Sequence, residues 1–315
     1  MQVFFYAPLI CILNKSKIET PKTFAPGFFV FCNRFFFTLA GNYNIIDFIN
    51  ALRPAARKGG QFMILVADVG NTNTVLGVWD DKNLVCSGRL STDTSETTIE
   101  FSMKLKTFLD LNGVSEITGG VISSVVPALV RTIKKAVKLV CGVELLVVGP
   151  GIKTGLNIKL DNPAEMGADL VAGDVAVIHK YKLPAILFDI GTATTASVID
   201  KNGAHLGGAI VCGVKTALKA LSTSTALLAQ TDISAPSKVI ATNTAEAMKC
   251  GSVIGTAALI EGMAARFEEE LGEKANVIIT GGLGRSIAKE IRIPVTVDDN
   301  LLLEGLRIIY EKNQK

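Results

Sequence analysis

The order of hydrophobic and polar residues along this chain repeats itself once. From Met63 onward, apolar runs separated by short polar turns predict three successive strands, in ILVAD, TVLGVWD and LVCSGRL. The same arrangement returns from Ala185, in AILFD, ASVID and AHLGGAIV. Segments with helical spacing and further buried strands follow each triplet. The pattern therefore predicts an internal duplication of an α/β fold rather than a short solenoid repeat.

Helix signals place the remaining elements between and after the two triplets. Pro127 is expected in the first turn of a helix, where the missing N–H costs nothing. Three further strands are expected, in GGVISSV, ELLVVG and NVIIT. The predicted helices cover approximately residues 96–111, 127–140, 168–179, 215–228, 244–271 and 301–313. With 315 residues available, we expect two domains, residues 63–180 and residues 181–315.

Residues 1–62 do not continue this pattern. They hold eleven of the fifteen Phe residues, and their apolar runs are too short to span a bilayer. Lys58, Gly59 and Gly60 can be encoded by a ribosome-binding sequence that lies just ahead of Met63. We therefore expect residues 1–62 to be leader sequence included by a misassigned start, outside the fold. A membrane anchor is the alternative.

Charge and cysteine usage restrict the class of protein. The net charge is +3, and residues 1–62, with seven basic and two acidic residues, contribute +5 of it, which leaves −2 for the rest. We see no basic patch of the kind that binds nucleic acid, and we expect no membrane partner. The cysteines from Cys86 onward show no CxxC spacing, as in a cytoplasmic protein with reduced thiols. With only two histidines, a zinc site or a Ser-His-Asp triad is not expected.

Two similar turns carry the chemistry, DVGNTNT at residues 68–74 and DIGTATT at residues 189–195. Glycine lets the backbone turn so that N–H groups face an anion, and the Asn and Thr side chains add neutral donors. The Asp at each strand end can hold a cation directly or through water. One such turn is usually an ordinary hairpin, but two at matching positions, facing each other across a cleft, predict a polyphosphate site with its metal ion. The chain has no GxxxxGK[ST] or GxGxxG motif.

Paired turns of this kind in a duplicated ribonuclease H-like fold resemble the actin, sugar kinase and heat-shock ATPase superfamily. Within it, DVGNTNTVLGV, SSVVP, VVGPGIKTGLNI, MGAD, DIGTATT and NTAEAMKCG resemble type III pantothenate kinases. The motifs occur in order and span nearly all of residues 63–315. The resemblance implies duplicated ribonuclease H-like domains with a nucleotide cleft between them. It also implies ATP-dependent phosphorylation of pantothenate to 4'-phosphopantothenate, the first step of coenzyme A biosynthesis, by a cytoplasmic homodimer.

The resemblance also implies roles for individual residues. Asp169 matches the general base that takes the proton of the pantothenate hydroxyl, although an early-helix acid favoured by the helix dipole is the simpler interpretation. Asp189 matches a ligand of a monovalent cation, potassium or ammonium, and Thr192 matches a second ATP contact. Asp68 is implied to lie near magnesium. The ATP phosphate loop would be Asp68, Val69, Gly70, Asn71, Thr72, Asn73, Thr74 and Val75, and the substrate contacts Gly167, Ala168, Asp169, Leu170 and Thr244. Thr244 would reach across the homodimer interface.

The sequence departs from the family pattern at two positions in the acceptor site. Leu170 stands where the family has Arg, and Leu160 stands where it has Tyr. Loss of an Arg that pairs with a carboxylate costs about 1.5–3 kcal/mol of binding; Lys153 and Lys159 are the nearby cations that could replace it. Three interpretations stay open: a pantothenate kinase with a modified pocket, a kinase for a different small hydroxy compound, or a catalytically weakened nucleotide-binding regulator. The segment GGLG at residues 281–284 either lies against the nucleotide or starts a helix.

Overall fold

The computed structural model describes residues 28–32, 35–39, 63–225, 228 and 231–314. The chain forms two compact units, residues 1–55 and residues 56–315. In the first unit, β1 (Phe28–Cys32) and β2 (Phe35–Leu39) pair as an antiparallel hairpin. The other residues covered by the leader hypothesis lie outside the described part of the chain, and the hypothesis stays a prediction.

The first large sheet contains the first predicted triplet of strands. Its strand order is β5-β4-β3-β6-β7, in which the first three strands are antiparallel neighbours and β6 runs parallel to β3. Two helices follow the strands of this half, α1 (Thr98–Leu111) and α2 (Pro127–Cys141). The strands are β3 (Met63–Val69), β4 (Asn73–Asp80), β5 (Asn83–Ser91), β6 (Gly119–Ser124) and β7 (Leu145–Val147).

The second large sheet repeats this arrangement. Its order is β13-β12-β9-β10-β11-β8, with β9, β10 and β11 as the antiparallel triplet and β12 parallel to β9. The strands are β8 (Asn157–Ile158), β9 (Ala185–Ile190), β10 (Ala193–Ile199), β11 (Ala204–Cys212), β12 (Asn276–Thr280) and β13 (Thr296–Val297). Two sheets with the same triplet and the same parallel neighbour confirm the predicted α/β fold with duplicated ribonuclease H-like halves.

Two of the remaining helices differ from the prediction in length or continuity. The expected helix at residues 244–271 is interrupted by a π-helical turn, Cys250–Ile254, and the helix expected at residues 215–228 ends at Ser224. The helices that follow α2 in the described part of the chain are α3 (Ala168–Lys180), α4 (Val214–Ser224), α5 (Thr244–Lys249), α6 (Gly255–Leu271), α7 (Gly284–Ala288) and α8 (Leu301–Lys312). Within the described part of the chain, no helix is long and apolar enough to cross a membrane.

Local sequence signals account for the ends of the helices in the first half. Thr97 and Glu100 form a capping box at the start of α1, in which the Thr97 side chain accepts a hydrogen bond from the Glu100 N–H and the Glu100 carboxylate accepts one from the Thr97 N–H at 2.8 Å. Helix α2 starts at Pro127 and ends before Gly142, whose φ of 76° lies in the left-handed region.

Helices α3 and α8 form the centre of the larger unit. Leu303 and Leu306 of α8 pack against Ile64 and Val66 of β3, although α8 belongs to the second half by sequence. The final helix therefore packs on the first sheet. The proposed boundary between residues 180 and 181 stays a prediction.

The two histidines are held by structural contacts. His205 of β11 lies 2.6 Å (Nδ1 to Oδ2) from Asp174 of α3, and both side chains are buried. His179 Nδ1 lies 2.7 Å from the Val175 carbonyl oxygen, one helical turn earlier. The His205–Asp174 contact therefore links α3 to the second sheet.

Candidate active site

The two sequence-related turns lie directly against each other. The first turn, residues 70–72, joins β3 to β4, and the second turn, residues 191–192, joins β9 to β10. The hydroxyl oxygens of Thr72 and Thr192 are 2.8 Å apart, a hydrogen-bond distance. The duplicated strands of the two sheets therefore bring their first turns to one place.

The turns differ in length by one residue. The Gly70 N–H donates to the Asn73 carbonyl at 3.0 Å, whereas the Gly191 N–H donates to the Ala193 carbonyl at the same distance. Asp68 and Asp189 occupy equivalent positions before the two turns. Because the first turn is one residue longer, Thr72 is the structural counterpart of Thr192. An ungapped comparison of the two motifs misses this shift, because it pairs Thr192 with Asn71.

Each turn is fixed by a threonine that follows the third strand of its triplet. Thr92 Oγ1 donates to the Gly70 carbonyl at 2.8 Å, and the Thr92 N–H donates to the Thr72 carbonyl at 3.0 Å. In the second half, Thr216 Oγ1 donates to the Thr192 carbonyl at 2.8 Å. Sequence reasoning missed Thr92 and Thr216. A threonine occurs shortly after the third strand in both triplets, and this repeat could have identified them.

The expected phosphate loop divides between strand and turn. Asp68 and Val69 end β3, and Asn73, Thr74 and Val75 begin β4, so that only three of its eight residues lie in the turn itself. Val69 is buried in the first core cluster, and Thr74 is also buried. The exposed residues at the turn are Asn71 and Thr72.

Three aspartates, Asp68, Asp169 and Asp189, are close enough to influence one another and are called the aspartate cluster below. Burial raises the pKa of Asp68 to about 7, and repulsion by Asp169 and Asp189 adds to the increase, while the Ser123 hydroxyl opposes it. Two carboxylates from strand ends and one from a helix therefore share one site. The sequence predicted roles for all three.

Asp189 is enclosed by a glycine segment from the second sheet. Burial raises the pKa of Asp189 to about 6, with a further contribution from Asp169, and Arg89 opposes the increase. A Cβ atom built on Gly281 would lie 2.4 Å from Asp189 Oδ1, and the φ of Gly281 is 91°. Only glycine permits this conformation and this close approach. The GGLG segment thus packs on Asp189 through Gly281 and then starts α7 at Gly284.

Asp169 is presented by the first turn of α3. Helix α3 begins at Ala168 after Gly167, and Asp169 Oδ1 accepts a hydrogen bond from the Leu170 N–H at 2.9 Å. The positive end of the helix dipole favours a negative charge at this position. Among the described residues, Asp169 Oδ2 has no hydrogen-bond partner. The backbone thus fixes the orientation of the Asp169 carboxyl group through one of its two oxygens.

The cluster is suited to a cation and the turns to an anion. Three carboxylates in one place repel one another, and a bound cation would relieve the repulsion that raises the pKa of Asp68. Magnesium typically uses one or two carboxylates together with substrate phosphates rather than a complete protein cage. Within the described ranges, no group of three His, Cys, Asp or Glu side chains has the geometry of a complete metal site. The donor set therefore fits magnesium that is shared with a polyphosphate.

The acceptor side of the site is apolar at the two positions that depart from the family. Leu160 and Leu170 are both half-buried, and a Cβ atom built on Gly207 would lie 3.8 Å from the Leu160 side chain. Lys153 and Lys159 are exposed, and the part of the chain that the structure describes shows no contact of their ammonium groups with the aspartate cluster.

Thr244 lies apart from these residues. It is the exposed first residue of α5, and the preceding Asn243 caps the helix by accepting the Glu246 N–H at 2.9 Å. No described contact joins Thr244 to the aspartate cluster. Its role as a substrate contact stays a prediction.

Comparison with known proteins identifies a family. The sequence profile of type III pantothenate kinase matches residues 64–266. A type III pantothenate kinase from Exiguobacterium sp. is 44% identical over 255 residues, which cover 80% of this chain and 100% of that protein. A type III pantothenate kinase from Syntrophus aciditrophicus is 42% identical over 253 residues, covering 80% of this chain and 100% of that protein.

Solved structures with lower similarity include two sugar kinases. A ROK hexokinase from Thermus thermophilus is 13% identical with a TM-score of 0.43, and the match covers 80% of this chain and 100% of that chain. A ROK family glucokinase from Streptomyces griseus, solved with glucose and AMPPNP, is 12% identical with a TM-score of 0.46; coverage is 79% of this chain and 98% of that chain.

Proposed function

The chain belongs to the type III pantothenate kinase family, and from this premise we propose how its site works. The reaction is ATP-dependent phosphorylation of pantothenate to 4'-phosphopantothenate, the first step of coenzyme A biosynthesis. The main support for the proposal is the contact between the Thr72 and Thr192 hydroxyls of the two turns, next to the aspartate cluster. Phosphoryl transfer requires positioning and charge neutralisation more than covalent participation by the protein, and this site offers both.

The first turn and Asp68 are proposed to hold the nucleotide phosphates. The N–H groups at the exposed tip of the turn, at Asn71 and Thr72, are available to phosphate oxygens. Thr192 lies next to Thr72 and would contact the same polyphosphate from the second half. Asp68 would hold magnesium, which neutralises phosphate charge when it is bound. The family requires ATP and a divalent metal ion.

Asp169 is proposed to be the general base. Its Oδ1 is fixed by the Leu170 N–H, which leaves Oδ2 to accept the proton of the acceptor hydroxyl. Its place at the start of α3 gives it a rigid support. The alternative, an early-helix acid that only stabilises α3, is compatible with the same geometry, so a kinetic test is needed.

Asp189 is proposed to hold potassium or ammonium. The carboxyl group is packed beneath Gly281, and burial, with repulsion by Asp169, raises its pKa to about 6, so that a bound cation would favour its charged form. Activation by these ions should disappear in Asp189→Ala. The same response to potassium in this variant and the wild type would show that the cation binds elsewhere.

We further propose a cytoplasmic homodimer in which Thr244 contacts the substrate of the partner subunit. The resemblance to the family supports this arrangement, and the exposed position of Thr244 at the start of α5 is compatible with it. Two large apolar side chains of the second half are exposed, Ile210 at 74% and Ile240 at 84%. Sedimentation of the protein tests this part of the proposal, and a strictly monomeric active enzyme would contradict it.

A kinase for a different small hydroxy compound is the second candidate. It is favoured by Leu160 and Leu170, which remove a hydroxyl and a positive charge from the acceptor side. A pocket without a cation discriminates less strongly in favour of a carboxylate. Pantothenate remains the first candidate because Asp169 and the nucleotide side are retained.

The test is a comparison of acceptors at saturating MgATP. Pantothenate, its alcohol analogue and a panel of small hydroxy acids would be incubated with the enzyme, and products identified by mass spectrometry. Asp68→Asn, purified in the same way, controls for contaminating kinases. We expect phosphopantothenate with the wild type and little product with the control. Faster phosphorylation of another acceptor would establish the second candidate, and nucleotide binding without turnover on any acceptor would indicate a regulator.

A further inference from the structure

Arg89 lies on the same face of the first sheet as Asp68. The strand register places Asp68 opposite Val75, and Val75 opposite Arg89. Residues directly opposite one another in neighbouring strands project to the same face. The adjacent Gly88 faces the other side, where a Cβ atom would lie 2.8 Å from the Phe108 ring of α1. With strands about 4.8 Å apart, Arg89 is two strands from Asp68 and within reach of a ligand beside it.

The guanidinium of Arg89 extends from the first sheet to the second half. A Cβ atom built on Gly282 would lie 2.8 Å from Arg89 Nη1, so the guanidinium packs against the glycine segment that follows β12. Its positive charge also acts on Asp189. Arg89 is exposed, and in the described part of the chain it has neither a hydrogen bond nor an ion pair. It is a cation at the junction of the two halves without a fixed partner.

The site needs a cation of this kind. Residues 68–75, which include the first turn, contain no Lys or Arg, although kinases commonly place a cationic side chain at the phosphates. In the second sheet, Asp189 lies opposite Thr195, and Thr195 lies opposite Ile210, so Ile210 occupies the position that corresponds to Arg89. The duplication therefore does not explain an arginine here, since the equivalent position in the second half is apolar.

We propose that Arg89 is a catalytic residue that binds the phosphoryl group during its transfer. The inference rests on the proposed kinase function. A bond forms between the acceptor hydroxyl oxygen and the γ-phosphorus, and the bond from that phosphorus to the β–γ bridging oxygen breaks. The electron pair leaves with ADP, and the hydroxyl proton passes to Asp169. Arg89 would donate hydrogen bonds to the equatorial oxygens, where negative charge is spread in the transition state.

A purely structural role would make different predictions. If Arg89 only joined the two halves through Gly282, its removal would weaken ground-state and transition-state ligands alike and lower the unfolding temperature. If it binds the transferring group, its removal selectively weakens a transition-state analogue. MgADP alone and MgADP with aluminium fluoride and pantothenate provide this pair of ligands.

The experiment measures binding of both ligands by calorimetry, together with kcat and KM, for Arg89→Ala and Arg89→Lys. Arg131→Ala, which removes one positive charge from an exposed position on α2, is the matched control. We expect Arg89→Ala to lower kcat by about 10³–10⁵-fold and to weaken the analogue by a similar factor, with MgADP binding nearly unchanged. Lysine should restore little, because it lacks the planar fork of donors.

The outcomes separate this inference from the function on which it rests. Equal losses for MgADP and the analogue, or unchanged kcat in Arg89→Ala, would overturn the role of Arg89 while leaving the kinase assignment intact. A wild-type enzyme that does not phosphorylate pantothenate would instead overturn the proposed function. Binding of MgADP by calorimetry and an unchanged unfolding temperature show that the variant is folded.

Discussion

At the residue scale, the candidate active site contains three carboxyl groups that are close enough to repel one another. The pKa of Asp68 is raised to about 7 and that of Asp189 to about 6, in both cases first by burial and then by repulsion from Asp169. Such sites are less stable than their surroundings when no ligand is bound, because binding of a cation is what offsets the repulsion.

The Asp68 carboxyl should make the stability of the ligand-free protein depend on pH. Its folded pKa lies above its usual value of 3.8, so the native state holds the proton more tightly than the unfolded state. The stability contribution of this group is therefore present at low pH and is lost as the pH rises from about 4 to about 7. Asp68→Asn should gain about 1–3 kcal/mol relative to the wild type over this range, allowing for solvent screening.

Urea unfolding of both proteins between pH 4.5 and 8, without magnesium, measures this difference. Asp161→Asn, at an exposed position, controls for the loss of one carboxylate. A difference between Asp68→Asn and the wild type that shrinks as the pH rises would contradict the assignment.

Leu170→Arg tests whether the acceptor pocket still recognises a carboxylate. If pantothenate is the substrate, a restored arginine should lower its KM about 10-fold or more. The value of kcat should change little, because the new contact exists in the ground state and the transition state alike. Leu170→Lys is the matched control for charge without a bidentate fork.

The opposite result has a clear meaning. If the pocket is adapted to an uncharged acceptor, the new arginine would be desolvated and unpaired. Loss of stability without a lower KM for pantothenate would then favour the different hydroxy compound.

The sequence predicted these residues unequally. Asp68 and Asp189 were predicted from the two similar turns, and Asp169 was predicted from the resemblance to a known family. Thr92 and Arg89 were missed, because Thr92 acts through a hydrogen bond to a turn distant in sequence and the position of Arg89 depends on strand register. Neither relation leaves a local motif.

At the element scale, close packing of α8 on α3 supports the helix that carries Asp169. A Cβ atom built on Gly305 would lie 1.8 Å from the Ala172 carbonyl oxygen, so the two helices can approach this closely only with glycine at the crossing. His205 also links α3 to β11 through Asp174. Asp169 is thus carried by a helix that is fixed on two sides.

Gly305→Ala should destabilise the fold by about 3 kcal/mol or more, because backbone rather than a flexible side chain blocks the added methyl group. Gly262→Ala on α6 is the matched control, since a Cβ atom there meets nothing within 4 Å. The control should gain about 0.5–1 kcal/mol from helix propensity. Chemical unfolding measures both, and equal stability of the two variants would contradict the close crossing.

The elements that periodicity predicted well are the long ones. Both strand triplets and the helices α1, α2, α3 and α8 appear close to their expected positions. The two-residue strands β8 and β13 were not predicted, since they are too short to show a pattern and depend on tertiary pairing. The π-helical turn at Cys250–Ile254 likewise has no signature in the spacing of its apolar residues.

At the scale of the whole molecule, one duplicated fold has produced two halves with different chemistry. The repeated turns meet through Thr72 and Thr192, but they differ in length, and only the first sheet carries an arginine beside its aspartate. The sequence repeat predicted that two such turns exist. It did not predict their direct contact, which depends on how the sheets and the central helices pack.

The most direct test of the account is the rate of 4'-phosphopantothenate formation by Asp169→Asn compared with the wild type, at saturating MgATP and pantothenate. If Asp169 accepts the hydroxyl proton beside the two turns, kcat should fall by about 10²–10⁴-fold, while calorimetry shows ATP binding of wild-type affinity. A folded Asp169→Asn enzyme that turns over at nearly the wild-type rate would contradict the account.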